Sequence, residues 1–488
     1  MNILAQRVSL NEFYSAVTQI KKIIPPAETL DKIQAGYSRV EKLMAGNQAI
    51  YGLNTGLGAN VEHRIDPQDI PQFQHQIIAG RAVACGEPIS EEIARGVLLY
   101  RIVSAAKGYS GIGPVLFTHL CNTYNAEWVP LIPQYGSIGA SDLTQNAHFA
   151  LGICGTGKMI RKDQTLDSKE AYSRMQLDIP PLLPKEGLAM INHSGVSTSL
   201  AGCNLHRAQL ALLMMKHAIV LSYLGYDANR LVLSENANTL RQAPGQQQAA
   251  QWFRTALENA SHSPRRIQEA LSFRTVAPVV GASGHALLHA SSVWEDEFNG
   301  VSDSPVVLPD GSMLSTPNFH PEALSQSLQG LSVSLLSVAN GSVQRMQRIM
   351  NPELSGLPKY LTNMPRGAAG MVATQKTALS LLAEITLGAQ AGMQNPVPVS
   401  DSVEDMATMA TQAATKLEKQ LVAFELLAGL EALVACQAID LRQPTQLGKL
   451  GQSLHQYIRE EIDFLTEDRA LGSDIELAKD RLANFCSD

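Results

Sequence analysis

The sequence predicts a mainly α-helical protein built as an elongated bundle of long helices, and three observations support this prediction. Hydrophobic residues make up 45% of the 488 residues but aromatic residues only 5%, so the apolar mass is aliphatic. Alanine, leucine and glutamine are frequent, and such a composition favours helix over sheet. The second half of the chain contains long apolar stretches with few helix breakers, whereas strand patterns are weak throughout.

Glycine and proline divide the chain into two predicted domains. Residues 1–185 are interrupted often and are expected to form a loop-rich helical domain with short helices such as Thr29–Met44 and Ser90–Ala106. Residues 186–488 are expected to form a bundle of long helices that ends in an amphipathic helix after Thr466. The other predicted elements are helices over Gly187–Gly225, Ala323–Met350, Ala368–Ala391 and Val403–Leu441, and a hairpin in Ser302–Met313.

Charge and cysteine usage exclude several classes of function. The net charge of −7 and the lack of a basic stripe argue against a nucleic-acid partner. The first residues show no signal-peptide pattern, and charged side chains interrupt the most apolar stretch, Leu205–Leu224, as in a core helix rather than a membrane span. The six cysteines are widely spaced without a Cys-x-x-Cys pair, which predicts reduced thiols in a cytoplasmic protein and no metal site.

Polar, glycine-rich segments between apolar stretches are candidates for a pocket wall. Tyr51–Gly58 begins with a phenol, which can act as a general base when positive charge lowers its pKa. Tyr135–Leu143 has small residues at a helix start, where Ser141 or Asp142 can cap the helix. Taken singly, each segment is explained as well by a turn or a capped helix.

The other candidates are isolated polar side chains. Asn192 is a neutral donor and acceptor beside an apolar helix, and His193 next to it is typical of a buried structural histidine. Arg274 lies between helices, where it can hold a carboxylate with two hydrogen bonds or join two helices as an ion pair. Lys376 falls inside the apolar helix Ala368–Ala391 and must reach solvent or face a polar cavity.

Together these segments resemble the histidine and phenylalanine ammonia-lyase family. The resemblance rests on Tyr51–Gly58, Gly136–Leu143 and Glu297–Pro305 in that order, supported by Asn318-Phe319-His320 and Glu404-Asp405. It extends from about residue 5 to about residue 470. It implies an almost all-α homotetramer, with active sites shared between subunits and a small amino acid as substrate.

The resemblance also implies roles for individual residues. Tyr51 matches the tyrosine that removes the β-proton of the substrate, and Asn192 matches an active-site asparagine. Arg274 matches the arginine that binds the substrate carboxylate. Glu404 matches a glutamate typical of the histidine branch, and Phe319 lies in the family's Asn-Phe-His segment.

The chain departs from the family where the electrophile forms. Family members build methylidene-imidazolone from Ala-Ser-Gly followed by Asp-Leu, whereas this chain reads Ala140-Ser141-Asp142-Leu143, so that the glycine is either deleted or replaced by aspartate. Cyclisation requires the glycine nitrogen to attack the alanine carbonyl through a bend that a side chain hinders. The other departures are Leu271 for a tyrosine, His193-Ser194-Gly195 after Asn192, Gly80-Arg81 where the histidine branch has Ser-His, and Lys376 for an apolar residue.

A base without an electrophile suits a substrate whose nitrogen is already a good leaving group. A trimethylammonium has no lone pair to attack an electrophile and leaves as neutral trimethylamine, so the pattern predicts a histidine betaine, ergothioneine, as substrate and a urocanate-type product, without cofactor. Asp142 would hold the permanent cation and Glu404 would favour an imidazole-type ring. Lys376 or Arg81 would stabilise negative charge on the thione.

Two other functions remain open at this level. If Ala140-Ser141-Asp142 still cyclises, the protein is a methylidene-imidazolone-dependent ammonia-lyase or aminomutase. Alternatively, it is an inactive homologue that serves as a scaffold. The presence of all four residues Tyr51, Asn192, Arg274 and Glu404 speaks against the scaffold.

Overall fold

A computed structural model describes residues 3–19, 21–46, 50, 52–56, 62–364, 367–392 and 397–487. These residues form nineteen α-helices, which confirms the predicted mainly α-helical class with long helices. The helices are α1 Leu10–Thr18, α2 Ala27–Met44, α3 Ile70–Ala79, α4 Glu91–Ala105, α5 Pro114–Asn125, α6 Leu143–Ile153, α7 Ser168–Met175, α8 Glu186–Ala189, α9 Gly195–Tyr226, α10 Glu235–Thr239, α11 Pro244–Ala256, α12 Leu271–Arg274, α13 Val276–Phe298, α14 Glu322–Ile349, α15 Pro352–Ser355, α16 Thr374–Ala389, α17 Ala410–Arg442, α18 Gly448–Arg459 and α19 Gly472–Ser487.

Seven short strands form three small antiparallel sheets. They are β1 Cys85–Pro88, β2 Val129–Pro130, β3 Pro133–Tyr135, β4 Lys158–Arg161, β5 Gln164–Asp167, β6 Val306–Val307 and β7 Met313–Leu314. β1 pairs with β3, β4 lies between β2 and β5, and β6 pairs with β7. The β6–β7 pair, with Val306 opposite Leu314, is the predicted hairpin. The other two sheets were not predicted, because strands of two to four residues are too short to carry a periodic signal and three of the five contain proline.

The chain folds into two compact units, and each unit collects three separate stretches of sequence. Unit one comprises residues 1–206, 291–326 and 391–415, and unit two comprises residues 207–290, 327–390 and 416–488. The predicted division between residues 185 and 186 is a single boundary, whereas each unit is discontinuous in sequence. The division stays a prediction from the distribution of helix breakers.

The predicted helices with regular apolar spacing are found within a few residues of their expected bounds. α2, α4 and α14 are examples, and Ser90 caps α4 by accepting a hydrogen bond from the Ile93 N–H. α9 and α17 are exceptions, because α9 begins at Gly195 rather than Gly187 and α17 begins at Ala410 rather than Val403. Met409, just before it, has φ 53°, which interrupts a helical backbone.

One long helix, α13, was not predicted because it contains residues that usually break helices. Pro278 lies in its first turn, where a missing N–H removes no helical hydrogen bond. Gly281 lets α13 approach α11, since a Cβ there would lie 2.3 Å from the Gly245 carbonyl oxygen. Both breakers are therefore compatible with the helix once its neighbours are known.

The two longest helices, α9 and α17, are apolar enough to span a membrane by length and composition. In this structure, however, 78% and 83% of their most apolar windows are buried inside the protein. Such burial is typical of the central helices of a large core, as was predicted for Leu205–Leu224.

Candidate functional site

The segment 140–142, where the family forms its electrophile, is a tight turn immediately before α6. Ser141 and Asp142 have φ values of 59° and 48°, so two consecutive non-glycine residues adopt left-handed backbone conformations. Asp142 occupies the N-cap position of α6, but its side chain makes no capping hydrogen bond. The expectation that Ser141 or Asp142 caps this helix through its side chain is therefore wrong.

The Asp142 carboxylate instead turns into the protein and accepts four hydrogen bonds. Oδ1 accepts from Ser137 Oγ at 2.5 Å and from Thr411 Oγ1 at 3.2 Å. Oδ2 accepts from the Ser197 backbone N–H at 2.8 Å and from Ser197 Oγ at 2.9 Å. Burial raises the pKa of Asp142, while these four donors oppose the rise. Each carboxylate oxygen thus accepts two hydrogen bonds.

The turn is fastened to the residues that precede α17. Gly139 has φ 75°, and a Cβ on it would lie 2.1 Å from Thr408 Oγ1, so glycine is required there for both space and conformation. Thr408 Oγ1 donates to the Gly139 carbonyl at 2.9 Å, and the Met409 N–H donates to the Ile138 carbonyl at 3.0 Å. These contacts explain why α17 begins only after Met409.

Asn192 lies beside this turn, in the middle of the short connection between α8 and α9. Its side chain is half-buried, and Nδ2 donates to the Ser304 carbonyl at 2.5 Å. The neighbouring Asp303 forms a fully buried, two-bond ion pair with Arg101, with distances of 3.0 and 3.1 Å. Asn192 is thus held by a carbonyl that a buried ion pair fixes in place.

His193 is a structural residue, as its position suggested. It is fully buried, its Nδ1 accepts from the Gly195 N–H at 3.2 Å, and its Nε2 lies 3.2 Å from the Met190 carbonyl. Burial, together with the charge of Arg101, lowers the pKa of His193 well below its ordinary value. A neutral imidazole with both nitrogens engaged fixes the turn before α9.

Three other predicted site residues also belong to unit one. The Phe319 carbonyl accepts a hydrogen bond from the Ser141 N–H at 3.0 Å, which joins the Asn-Phe-His segment to the turn. Glu404 is half-buried, and its backbone pairs with that of Val399 in a small hairpin. Arg81 follows α3 and donates to the Ile77 carbonyl at 3.2 Å.

Arg274 and Lys376 belong to unit two. Arg274 is exposed at the end of α12, and the two carbonyls before it are fixed by buried donors. Tyr223 Oη donates to the Phe273 carbonyl at 2.5 Å, and Arg345 Nη1 donates to the Ser272 carbonyl at 3.2 Å. Lys376 is exposed in the first turn of α16, so within this chain it extends to the surface.

Tyr51 lies outside the described residues, but the residues around it are anchored. Ile50 and Leu53 are buried in a small apolar cluster with Tyr37, Val40 and Val307. The Ile50 N–H donates to Asn54 Oδ1 at 2.8 Å. The role of Tyr51 stays a prediction from the resemblance.

Glu297 is a candidate residue that the sequence reasoning missed. It accepts a hydrogen bond from Ser194 Oγ and lines a cavity of about 640 Å³ together with His320 and Asn318. Burial, together with the charge of Asp142, raises the pKa of Glu297 to about 7. Its position at the start of the Glu297–Pro305 motif was the signal that could have identified it.

The raised pKa of Glu297 predicts a pH-dependent stability. The folded state holds the Glu297 proton more tightly than the unfolded chain, so the unfolding free energy falls as pH rises from about 4.5 to about 7. In the parent we expect this decrease in unfolding free energy to be on the order of 3 kcal/mol. Glu297→Gln should abolish the decrease, as measured by urea denaturation at several pH values. Asp296→Asn, which changes the neighbouring exposed carboxylate, is the control. An unchanged pH profile in Glu297→Gln would contradict the assignment.

Comparison with known proteins places nearly the whole chain among one group of enzymes. The sequence profile described as aromatic amino acid lyase matches residues 8–460. Histidine ammonia-lyase from Deinococcus radiodurans is 31% identical over 97% of this chain and 92% of its own length. The histidine ammonia-lyase from Symbiobacterium thermophilum is 30% identical over 99% of this chain and 96% of its own length.

Solved structures of the same fold cover the chain almost completely. The crystal structure of an ergothionase from Treponema denticola, in complex with desmethyl-ergothioneine sulfonic acid, superposes with a TM-score of 0.95. It is 24% identical and covers 99% of this chain and 98% of its own. Histidine ammonia-lyase from Trypanosoma cruzi superposes with a TM-score of 0.90 at 27% identity, covering 98% of this chain and 92% of its own.

Proposed function

Because the chain belongs to the aromatic amino acid lyase family and is a carbon–nitrogen lyase, we propose that it eliminates trimethylamine from a histidine betaine, with ergothioneine as the substrate. The observation that carries this proposal is the position and hydrogen bonding of the Asp142 carboxylate. Its carboxylate occupies the position after Ser141 and is held inside the protein by four hydrogen bonds.

The residues of segment 140–142 do not fit the methylidene-imidazolone group of the family. Ring closure would bring the Asp142 nitrogen onto the Ala140 carbonyl carbon, and the Asp142 side chain is tied to Ser137, Ser197 and Thr411. The Ser141 N–H is already bonded to the Phe319 carbonyl. Closing the ring would remove the hydrogen that Ser141 donates in this bond and would require a tight backbone bend at a residue whose side chain is held by four hydrogen bonds.

The electrostatics around the turn support a cationic substrate. The Asp142 carboxyl is fully buried and the Glu297 carboxyl is half-buried, and burial together with the charge of Asp142 raises the pKa of Glu297. Among the described residues, no lysine or arginine contributes to the pKa shift of either carboxyl. A trimethylammonium group would supply the missing positive charge. Because Asp142 is fully buried, the hydroxyl groups that bind its carboxylate would lie between it and the cation. The attraction between carboxylate and cation would be about 3 kcal/mol for a separation of about 6 Å and an effective dielectric of about 20.

The proposed reaction is a β-elimination in which this chain's residues hold the substrate and move one proton. Tyr51 takes the proton from the β-carbon, the C–H electrons form the new double bond, and the Cα–N bond breaks with its electrons leaving on trimethylamine. Arg274 holds the carboxylate with two hydrogen bonds. Glu404 contacts the ring, and Lys376 or Arg81 stabilises negative charge on the thione.

The exposed apolar surface of α16 supports a homotetramer with shared active sites. Only Thr374, Ala378 and Ile385 of this helix are buried, while Leu379 and Leu387 are more than half exposed. Apolar side chains left exposed along one helix are typical of a surface that another protein covers. We propose that further copies of this chain cover α16, and we keep the cytoplasm as the predicted location.

One experiment tests the proposed reaction directly. We expect the purified protein to release trimethylamine from ergothioneine and to release no ammonia from histidine, phenylalanine or tyrosine, with hercynine included to test the plain imidazole betaine. Trimethylamine is measured by gas chromatography, ammonia by a coupled enzyme assay, and the unsaturated product by its absorbance. Ammonia from histidine, without trimethylamine from either betaine, would refute the proposal.

The second candidate is an ordinary histidine ammonia-lyase, which is favoured by the two relatives at 30 and 31% identity. It requires the cyclised electrophile, which absorbs in the near ultraviolet and lowers the mass of segment 140–142 by two waters. Peptide mass spectrometry and a difference spectrum therefore separate the two reactions. A protein that turns over none of the compounds would instead be the inactive scaffold.

A further inference from the structure

Asn146 lies where the two polar segments of the candidate site meet. It is in the first turn of α6 and is completely buried. Its single amide nitrogen lies 2.9 Å from the Ser141 carbonyl oxygen, 3.1 Å from the Ile191 carbonyl oxygen and 2.6 Å from the His193 carbonyl oxygen. One side chain thus bridges the turn that carries Asp142 and the turn that carries Asn192.

We infer that Asn146 is a positioning residue for the lyase reaction, which sets the position of Asp142 relative to Asn192. The inference rests on the proposed function, since it takes Asp142 to attract the trimethylammonium group and Asn192 to belong to the active site. The carbonyls it holds are those of Ser141, directly before Asp142, and of Ile191 and His193, on either side of Asn192. A shift of Asn146 would therefore move both segments together.

Burying an amide at this position costs free energy, which indicates that the hydrogen bonds of Asn146 have a role in holding the two segments. Asn146 Oδ1 is buried without a hydrogen-bond partner among the described residues. Leaving a buried acceptor unsatisfied costs about 1–3 kcal/mol, which a leucine of similar size would avoid. The amide nitrogen is the only part of the side chain that offsets this cost, and its acceptors, three backbone carbonyls and His193 Nδ1 at 3.4 Å, all belong to the two site segments.

The adjacent residue, Gln145, provides a matched control. It is also completely buried, and its amide oxygen likewise has no partner among the described residues. Its Nε2 donates to the carbonyls of Pro133 and Gln134, at 2.8 and 3.1 Å. Gln145 therefore fastens β3 with the same kind of bond that Asn146 uses on the site.

The test compares Asn146→Leu with Gln145→Met, each replacing a buried amide by an apolar group of similar size. We expect both variants to lose comparable thermal stability. We expect Asn146→Leu to lose at least about tenfold in kcat/KM, since small misplacements at a reacting centre reach effects of about 10²-fold. Gln145→Met should stay within about threefold of the parent.

A binding measurement separates positioning from general loosening of the fold. Tetramethylammonium, a probe of the cation site alone, should inhibit Asn146→Leu several-fold more weakly than it inhibits the parent or Gln145→Met. If Asn146→Leu does not fold, Asn146→Ser and Gln145→Ser are compared in the same way. Equal losses in the two positions, or an unchanged kcat/KM in the Asn146 variant, would overturn the inference.

This test stays informative if the proposed substrate is wrong. Should the protein release ammonia from histidine rather than trimethylamine from a betaine, the contrast between the Asn146 and Gln145 variants is measured on ammonia release. A contrast there would uphold the role of Asn146 while the betaine proposal fails. If the protein releases trimethylamine but the Asn146 and Gln145 variants do not differ, the betaine proposal is upheld and the role of Asn146 fails.

Discussion

Replacing Tyr51 with phenylalanine should lower the elimination rate by about 10²- to 10⁴-fold, the usual contribution of a general base. The change removes one hydroxyl and keeps the ring, so the buried Ile50 and Leu53 on either side should remain in place. Because the loss falls on proton removal, kcat should decrease far more than substrate affinity. Steady-state kinetics with ergothioneine, followed by trimethylamine release, measure both quantities.

The control for Tyr51 is a tyrosine that has no expected role in the reaction. Tyr457 lies in α18 and packs its ring against Arg481, so Tyr457→Phe, which keeps the ring, should leave kcat and KM near the parent values. A deuterium label on the substrate β-carbon adds a second test, since its isotope effect should appear only when proton removal limits the rate. Full activity in Tyr51→Phe would show that another group is the base.

Replacing Asp142 with asparagine should weaken the binding of the trimethylammonium substrate by roughly 10²-fold. The change removes a charge whose attraction for the cation is about 3 kcal/mol. It should also lower the melting temperature. The amide oxygen can replace Oδ2 and accept from the Ser197 N–H, but the NH₂ group would then face Ser137 and Thr411, whose hydroxyls must turn from donating to accepting.

Two controls separate the charge of Asp142 from its structural role. Urocanate carries no quaternary nitrogen, so its affinity for the Asp142→Asn variant should stay close to that for the parent. Thr411→Val removes one of the four donors without changing the charge, and it should cost stability with a much smaller change in KM. Equal weakening of urocanate and ergothioneine in Asp142→Asn would contradict a role in holding the cation.

Regular apolar spacing made much of the fold predictable. α2 and α14 each bury one face along their whole length, so the periodicity of the sequence and the ends of the helices agree. The start of α17 was not predictable, because its position depends on Met409 and Thr408 binding to the turn at residues 138–139. A composition-based pattern contains no information about such a distant contact.

The candidate site was predictable in its residues but not in its geometry. The order of the motifs identified Asp142 and Asn192, because each occurs in a recognisable local sequence. That the Asp142 carboxylate turns inward was not readable, since its partners Ser197 and Thr411 lie 55 and 269 residues away. The bridging role of Asn146 was hidden for the same reason, because its partners include backbone atoms 45 and 47 residues away.

The discontinuous makeup of unit one has a consequence for how the protein is made in the cell. Residues 391–415 are the last of its three stretches to leave the ribosome. At about 5–20 residues per second, Thr411 is synthesised roughly 13–54 s after Asp142, which until then has one donor fewer for its buried charge. A nascent chain that stops before residue 391 therefore carries almost every residue of the site in an unfinished unit. Premature termination should give a substrate for chaperones and proteases rather than a partially active enzyme.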